Sequence, residues 1–203
     1  MPRQNRVTPW GEILADPARG ALLGNRGVLH DAAGHIRRPW RVKAWIACRL
    51  QFKGRRRALM QPGRWTELFF LDEATALAAG HRPCFECRRE DARRFKAAWL
   101  AGQGRGDQPP IGAVDDVLQR ERIDHDGAKV TWRSPARALP DGTMVAFGTT
   151  PHLLWRGALR PWSFRGYGAP VALPAEVVVL TPRSVVAAIA QGYVPGVDAS
   201  ASA

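Results

Sequence analysis

The sequence predicts an α+β protein made of small antiparallel sheets with short helices. Short segments in both halves alternate apolar and polar residues with the period of a strand, while other segments carry apolar residues at helical spacing. A stretch rich in glycine, proline and polar residues, "LAGQGRGDQPP", separates two patterned regions. We therefore predict two modules, residues 1–103 and residues 104–203.

The first module is predicted to begin with a hairpin and an alternating strand. In "GVLHDAAGHI", the turn Asp31 to Gly34 lies between His30 and His35. The alternation in "KAWIACRLQF" predicts a strand with two distinct faces. Its expected core face carries Ala44, Ile46, Cys48, Leu50 and Phe52, and its expected outer face carries Lys43, Trp45, Arg49 and Gln51.

The rest of the first module is predicted to be a strand followed by two helices. The strand is "RWTELFF", after which Asp72 is placed to cap the short helix "EATALAA". Gly80 is expected to end that helix. Residues 85–100 predict a second helix with Ala92, Phe95 and Trp99 on its inner side.

The second module is predicted to be β-rich, with a helix at each end. "IGAVDDVLQRERI" has helical spacing, and the strands "AKVTW", "TMVAF", "HLLW", "RPWSF" and "EVVVL" follow, separated by glycine-containing turns. A terminal strand–helix unit closes the chain, in which Thr181 is expected to cap the helix and Pro182 to occupy its first turn.

The positive charge is concentrated in the first half of the chain. The net charge is +12; residues 1–106 contain 21 Lys and Arg against 9 Asp and Glu, and residues 107–203 contain 9 of each. This asymmetry favours a polyanionic partner, nucleic acid before a membrane surface. No apolar run approaches the ~20 residues of a membrane-spanning helix. Because the N-terminus also lacks the apolar core of a secretory signal, we expect a cytoplasmic protein that does not bind membranes.

The three cysteines predict a metal site. Cys84 and Cys87 follow a Gly-x-x-Pro turn in "GHRPCFECRRED", and their spacing lets two sulfurs converge on one ion. A thioredoxin-like redox pair and structural thiols without metal are the alternatives, and the absence of a βαβ pattern argues against the first. With Cys48 as the third ligand, we predict Zn²⁺ in a structural role, because Cys48 is expected to face the core.

The fourth ligand is open among His30, His35, His81 and a water molecule. His81 stands only three residues before Cys84, which is unfavourable for binding the same ion, whereas the hairpin can fold against the Cys48 strand. We predict His30. The expected architecture is therefore a zinc-stabilised N-terminal half followed by a β-rich C-terminal half.

The segment "FFLDEATALAAGHRPCFECRRED", residues 69–91, resembles the metal-binding domain of the Ada methylation-repair proteins. In that family a strand, a short helix ending in "AAG" and a Pro-Cys-x2-Cys sequence form the second half of a four-ligand zinc site. The resemblance implies that Cys84 and Cys87 are the closing pair and that Cys48 belongs to the first pair. It also implies a role for Cys48 as acceptor of a methyl group from a DNA phosphotriester.

This chain departs from the Ada pattern in three respects. The family's fuller form has a second upstream cysteine near the first, and this chain lacks it. Related small domains have a histidine four residues before the first cysteine, where this chain has Ala44, and His81 replaces the usual aromatic residue. The rest of the chain resembles an uncharacterised bacterial protein family.

A basic surface near the predicted zinc site is expected to bind nucleic acid, with DNA as the favoured form. Cations contact phosphates, and an exposed indole can stack on a base. The predicted contact residues are Lys43, Trp45, Arg49, Arg55, Arg56, Arg57, Arg88, Arg89 and Arg93. The alternative is a solvated charged surface with Trp45 packed beneath a neighbouring element.

The sequence is consistent with three functions. The predicted one is a zinc protein that binds DNA; the others are a methyl-phosphotriester acceptor acting through Cys48 and a small-molecule enzyme with a pocket between the halves. His125 and His152 are the candidate residues for such an enzyme. No phosphate-binding loop, hydrolase nucleophile motif or zinc-protease motif occurs, so the sequence carries no positive indication of catalysis.

Overall fold

Two six-stranded sheets and four α-helices account for the regular structure of residues 1–54 and 58–202, the part of the chain that the computed structural model describes. The α+β class predicted from the sequence is confirmed. Each module contributes one of the sheets.

The first sheet positions the cysteines. Its strands are β1 (Gln4–Val7), β2 (Ile13–Ala15), β3 (Leu22–Asn25), β4 (Ile46–Arg49), β5 (Leu68–Phe70) and β6 (Arg82–Pro83), in the order β2-β1-β5-β3-β4-β6. The pairs β1–β5 and β4–β6 are parallel and the others antiparallel. Because β6 runs beside β4 at the edge, the residues after Pro83 leave the sheet next to Cys48.

The second sheet is antiparallel throughout its described pairs. Its strands are β7 (Trp132–Pro135), β8 (Met144–Phe147), β9 (Thr150–Trp155), β10 (Ala158–Ser163), β11 (Gly166–Tyr167) and β12 (Glu176–Val179), in the order β11-β10-β9-β8-β12-β7. The β9–β10 turn has Arg156 at φ 50° and Gly157 at φ 73°, as a two-residue hairpin turn requires. The strand predicted from residue 128 begins only at Trp132.

The helices are α1 (Glu73–Ala78), α2 (Arg89–Gly102), α3 (Ile111–Arg122) and α4 (Arg183–Ala190), with short 3-10 turns at Ala136–Ala138 and Ala199–Ser202. Asp72 caps α1 as predicted, since its Oδ1 accepts a hydrogen bond from the Thr75 N–H at 2.8 Å. Helix α2 begins later than predicted, because the Arg88 N–H bonds the Cys84 carbonyl at 3.0 Å in a separate turn. None of the described helices combines the length and apolar character that crossing a membrane requires.

The predicted cap of α4 is wrong. The Thr181 hydroxyl accepts from the Met144 N–H at 2.9 Å and thereby ties the strand end to β8. The partner for the free N–H groups at the start of α4 is instead the Glu121 carboxylate, which accepts a hydrogen bond from the Ser184 N–H at 3.0 Å. A side chain from α3 therefore replaces the local cap.

Side chains from both predicted modules share hydrophobic clusters. One cluster combines Phe95 and Trp99 of α2 with Leu118 of α3 and Val185 of α4. The predicted boundary at residues 103 and 104 lies between α2 and α3, and the division into modules stays a prediction.

The face of β4 predicted to be buried is not the buried one, although Lys43, Arg49 and Gln51 of the predicted outer face are exposed. Trp45, just before the strand, is only 2% exposed and Ala47 is buried, whereas Ile46 and Cys48 are half-buried and Leu50 is 48% exposed. The alternating pattern has apolar residues on both faces. Tertiary contacts therefore decide which face is buried. The buried Trp45 indole is stabilised by its N–H, which donates to the Val42 carbonyl at 2.8 Å, and by packing against buried guanidinium groups.

Candidate metal centre

The three cysteine sulfurs converge although they are distant in sequence. Strand β6 pairs with β4 so that Pro83 lies beside Ala47, and the Cys84 N–H donates to the Ala47 carbonyl at 3.0 Å. The turn after β6 then brings Cys87 back toward the same place. The Sγ atoms of Cys48, Cys84 and Cys87 all lie within 4.8 Å of one another, so the group can hold a metal ion.

Backbone N–H groups point at two of the sulfurs. The Glu86 N–H donates to Sγ of Cys84 and the Arg49 N–H to Sγ of Cys87, each at 3.4 Å. Donors in this arrangement stabilise negative charge on sulfur. They match the requirement that a metal-binding cysteine be a thiolate.

The thiols influence each other's ionisation. A hydrogen bond from the Cys48 thiol lowers the pKa of Cys84 to about 5, and the backbone N–H groups at Cys84 act in the same direction. The same contact with Cys84, followed by burial, raises the pKa of Cys48, and burial raises the pKa of Cys87. One thiolate thus forms readily in the group, and a divalent cation would favour ionisation of the other two.

The donor set fits a thiophilic cation. Zinc binds thiolate at about 2.3 Å, so two sulfurs in a tetrahedral site stand roughly 3.8 Å apart. The sulfurs here are within 4.8 Å, a separation that small side-chain rotations can close. Three soft sulfur ligands favour Zn²⁺, Cu(I) or an iron–sulfur cluster over Mg²⁺ or Ca²⁺.

One side of the thiol group faces a cavity of about 380 Å³. All three cysteines contribute to its lining, together with Asn25, Trp65, Glu67 and Glu86. Cys84 and Cys87 are buried, while Cys48 is half-buried. The expectation that Cys48 faces the core is therefore wrong, because its side of β4 borders this cavity.

The candidate histidines lie away from the sulfurs or face other partners. The His30 Nδ1 is 2.6 Å from the Thr66 hydroxyl, and none of the three candidate histidines belongs to the group of converging cysteine sulfurs. His35 is exposed beside Asp31. His81 is buried, and its Nε2 accepts a hydrogen bond from Arg26 at 3.2 Å.

Two residues of the predicted nucleic-acid surface are buried instead. Arg88 is 7% exposed and forms ion pairs with Glu73 at 2.7 Å and Asp91 at 3.0 Å. Trp45 lies in the interior, as the alternative interpretation anticipated. Both predictions of exposure are wrong, because each side chain has long-range partners that the local pattern does not reveal.

The other predicted contact residues that the structure describes are exposed. Lys43 is exposed and paired with Asp116 at 2.7 Å. Arg49, Arg89 and Arg93 are exposed. Residues 55–57, and with them the predicted contacts Arg55, Arg56 and Arg57, lie outside the described residues.

The candidate catalytic histidines have no arrangement typical of acid–base catalysis. His125 is exposed between Asp124 and Asp126, on a turn. His152 is buried, with its Nδ1 2.9 Å from the Thr150 carbonyl, and burial lowers its pKa.

Sequence reasoning missed a group of cations at a second cavity of about 360 Å³. Buried Arg26 and Arg122 pack against Trp45, and half-buried Lys129 lines the same cavity. Their positions are separated by up to a hundred residues and carry no motif, so only the tertiary structure brings them together.

Comparison with protein-family models, curated proteins and solved structures gives no match to this chain. The resemblance of residues 69–91 to the Ada metal-binding domain accordingly stays a prediction.

Proposed function

We propose that this chain is a zinc-binding protein in which Cys48, Cys84 and Cys87 hold Zn²⁺ as thiolates. The observation that carries this proposal is the convergence of three sulfurs within 4.8 Å from one strand and one distant turn. Two of these sulfurs, those of Cys84 and Cys87, accept hydrogen bonds from backbone N–H groups. Zinc supplies a cation that stabilises three thiolates at neutral pH.

The role we assign to the ion is structural. It would join β4 to the turn that precedes α2, and so fix the edge of the first sheet against a helix of the core. The fourth coordination position would face the cavity lined by the cysteines, where a water molecule can complete the tetrahedron.

Metal content tests the proposal. Inductively coupled plasma mass spectrometry should find about one zinc per chain in zinc-supplemented wild-type protein. The Cys84→Ser variant should lose most of this zinc. The control is His30→Asn, which keeps a polar group near Thr66 and should retain full zinc, since His30 lies outside the thiol group. A chelator should lower the melting temperature of wild type but not that of Cys84→Ser. Wild type without zinc under these conditions would contradict the proposal.

Nucleic-acid binding is our second proposal, and it rests on exposed arginines beside the metal centre. Arg49 is exposed and its backbone contacts the Cys87 sulfur. Arg89 and Arg93 are exposed on the first turns of α2, directly after Cys87. Exposed guanidinium groups contact phosphates through directed hydrogen bonds.

Salt-dependent DNA binding tests this second proposal. Replacing Arg49, Arg89 and Arg93 by glutamine should reduce the slope of log K against log salt by about 2–3, roughly 0.9 for each lost phosphate contact. The matched control replaces three exposed arginines elsewhere, Arg120, Arg137 and Arg165, and so removes equal charge. Equal losses in both triple variants would mean that only net charge matters and would contradict an interface at the metal centre.

The half-buried position of Cys48 at a cavity supports one alternative, the methyl-acceptor role. In that reaction the Cys48 thiolate would attack a methyl carbon of a DNA phosphotriester, and a phosphodiester would leave. Incubation with methylated DNA should then add one methyl group to a peptide containing Cys48, and an unmodified peptide would exclude this role.

A further inference from the structure

Two buried guanidinium groups contact one indole ring. The guanidinium carbons of Arg26 and Arg122 lie 4.1 Å and 3.8 Å from the centroid of the Trp45 ring, and each arginine is 1% exposed. Together with half-buried Lys129, they line the cavity of about 360 Å³. We call this the arginine cavity. It is separate from the cavity beside the cysteines.

Arg26 keeps one donor without a partner. Its Nη1 donates to the Gly11 carbonyl at 3.0 Å and its Nε to His81 at 3.2 Å. Its Nη2 is buried and makes no hydrogen bond. A methyl group added at Gly11, another lining residue, would stand 3.8 Å from this Nη2, so the unused donor lies close to the cavity lining.

Arg122 and Lys129 also bond only neutral groups. Arg122 donates to the carbonyls of Gly80 at 2.8 Å and Lys43 at 2.7 Å, and its buried Nε has no partner. Lys129 donates to the Ala78 carbonyl. Backbone carbonyls hold these cations in place but leave their charge uncompensated.

No ion pair of the described residues involves these three cations. The nearby carboxylate of Asp115 is taken by Arg82, through two hydrogen bonds of 2.7 and 2.8 Å. Glu12 is exposed but contributes to the cavity lining. With Arg26, Arg122 and Lys129 against one carboxylate, the site keeps a net positive charge.

Burial lowers the pKa of all three cations, and repulsion within the group adds to this effect for Arg26 and Lys129. Burial and then the neighbouring Arg122 lower the pKa of Arg26 to about 9. Burial lowers the pKa of Arg122 to about 9; the nearby Asp115 carboxylate acts against this effect, and Arg82 acts with it. Burial and the two guanidinium groups lower the pKa of Lys129 to about 7. Buried charge of one sign is costly without a counterion, so an anion in the cavity would stabilise the fold.

We propose that the arginine cavity binds a phosphate group, either as inorganic phosphate or as the monoester of a small organic molecule. A phosphate dianion complements the positive charge of the cavity, and its oxygens can accept from Arg26, whose Nη2 is unused close to the lining residue Gly11. The volume exceeds that of the anion alone, and Trp10 also lines the cavity, so a planar substituent can pack against an aromatic wall.

Calorimetric titration of the wild-type chain with inorganic phosphate and with adenosine monophosphate tests this proposal. Sodium chloride at equal ionic strength is the reference. Saturable binding near one phosphate per chain is expected. Affinity for the nucleotide at least tenfold above inorganic phosphate would identify an organic monoester as the ligand, and equal affinity would identify free phosphate. No binding beyond the chloride reference would overturn the proposal.

Variants locate the binding. Lys129→Met should weaken phosphate binding at least tenfold, while Lys96→Met, the same change on helix α2, should leave it within twofold. Should Lys129→Met fail to fold, Glu12→Gln is the second test: it removes the exposed carboxylate of the lining and should tighten binding severalfold. Unchanged affinity in Glu12→Gln, or in folded Lys129→Met, would place the phosphate elsewhere and overturn the proposal.

Discussion

His81 illustrates at the scale of one residue how packing changes chemistry. Its ring lies 4.6 Å from the Phe70 ring and 5.2 Å from the Trp45 ring, measured between centroids. Burial, followed by the charges of Arg26 and Arg122, lowers its pKa well below the ordinary value of 6.5. The neutral ring accepts from Arg26, which a protonated ring cannot do.

The burial of His81 predicts a pH-dependent stability. Because its folded pKa lies below its unfolded value, the unfolded chain binds the extra proton, and stability present above pH 6.5 is lost as the pH falls. Between pH 6.5 and 5, the free energy of unfolding of wild type should fall more steeply than that of His81→Asn, by roughly 1.4 kcal/mol per pH unit. Urea denaturation at several pH values measures both slopes. If the free energy of unfolding depended on pH equally in wild type and His81→Asn, His81 would not be the group responsible.

Helix α4 shows at the scale of an element how tertiary contacts replace a local cap. Pro182 occupies the N-cap position and offers no side-chain hydrogen bond. The Glu121 carboxylate instead accepts from both the N–H and the hydroxyl of Ser184, at 3.0 and 2.5 Å. A carboxylate at a helix N-terminus also interacts favourably with the helix dipole.

Removal of this cap should destabilise the chain. Glu121→Ala is expected to lower the free energy of unfolding by about 1–2 kcal/mol, the usual cost of a lost N-cap. The control is Asp116→Ala on the same helix, which breaks only the exposed pair with Lys43 and should change the free energy of unfolding much less. Chemical denaturation compares the two, and equal costs would show that Glu121 acts as an ordinary surface residue.

At the scale of the whole molecule, Glu73 connects distant parts of the chain. Its carboxylate accepts from Arg88 at 2.7 Å, from the Tyr193 hydroxyl at 2.6 Å and from the Gly196 N–H at 2.9 Å. The neighbouring Asp72 accepts from the Tyr167 hydroxyl at 2.7 Å. Two adjacent carboxylates at the N-terminus of α1 thus connect the region around the cysteines to the C-terminal half.

Neutralising Glu73 should leave Arg88 buried without its main counterion. Glu73→Gln is expected to cost about 3–5 kcal/mol in the free energy of unfolding. Adding Arg88→Met should recover part of this loss, because the unpaired charge is then gone. Asp91→Asn is the control, since it contacts the same arginine from a more exposed position and should cost at most about 1 kcal/mol. A double variant less stable than Glu73→Gln would contradict this explanation.

Features that depend on neighbouring residues were predictable from the sequence. The cap at Asp72, the positive φ of Gly80 at the end of α1 and the bridge from His30 to Ile36 across its turn all agree with the local patterns. The Cys-x2-Cys spacing indicated a group that can hold a metal ion. Each of these depends on geometry within a few residues, where side-chain type restricts the backbone strongly.

By itself, then, the sequence determined the α+β class, most helices and strands, and the three cysteines of the candidate site. Only the tertiary structure decided which face of β4 is buried, that Arg88 and Trp45 are interior, that His30 lies with Thr66, and that three cations surround one cavity. The physical reason is that burial and charge compensation depend on partners far away in the chain. Alternation and spacing describe a segment alone, and they say nothing of what packs against it.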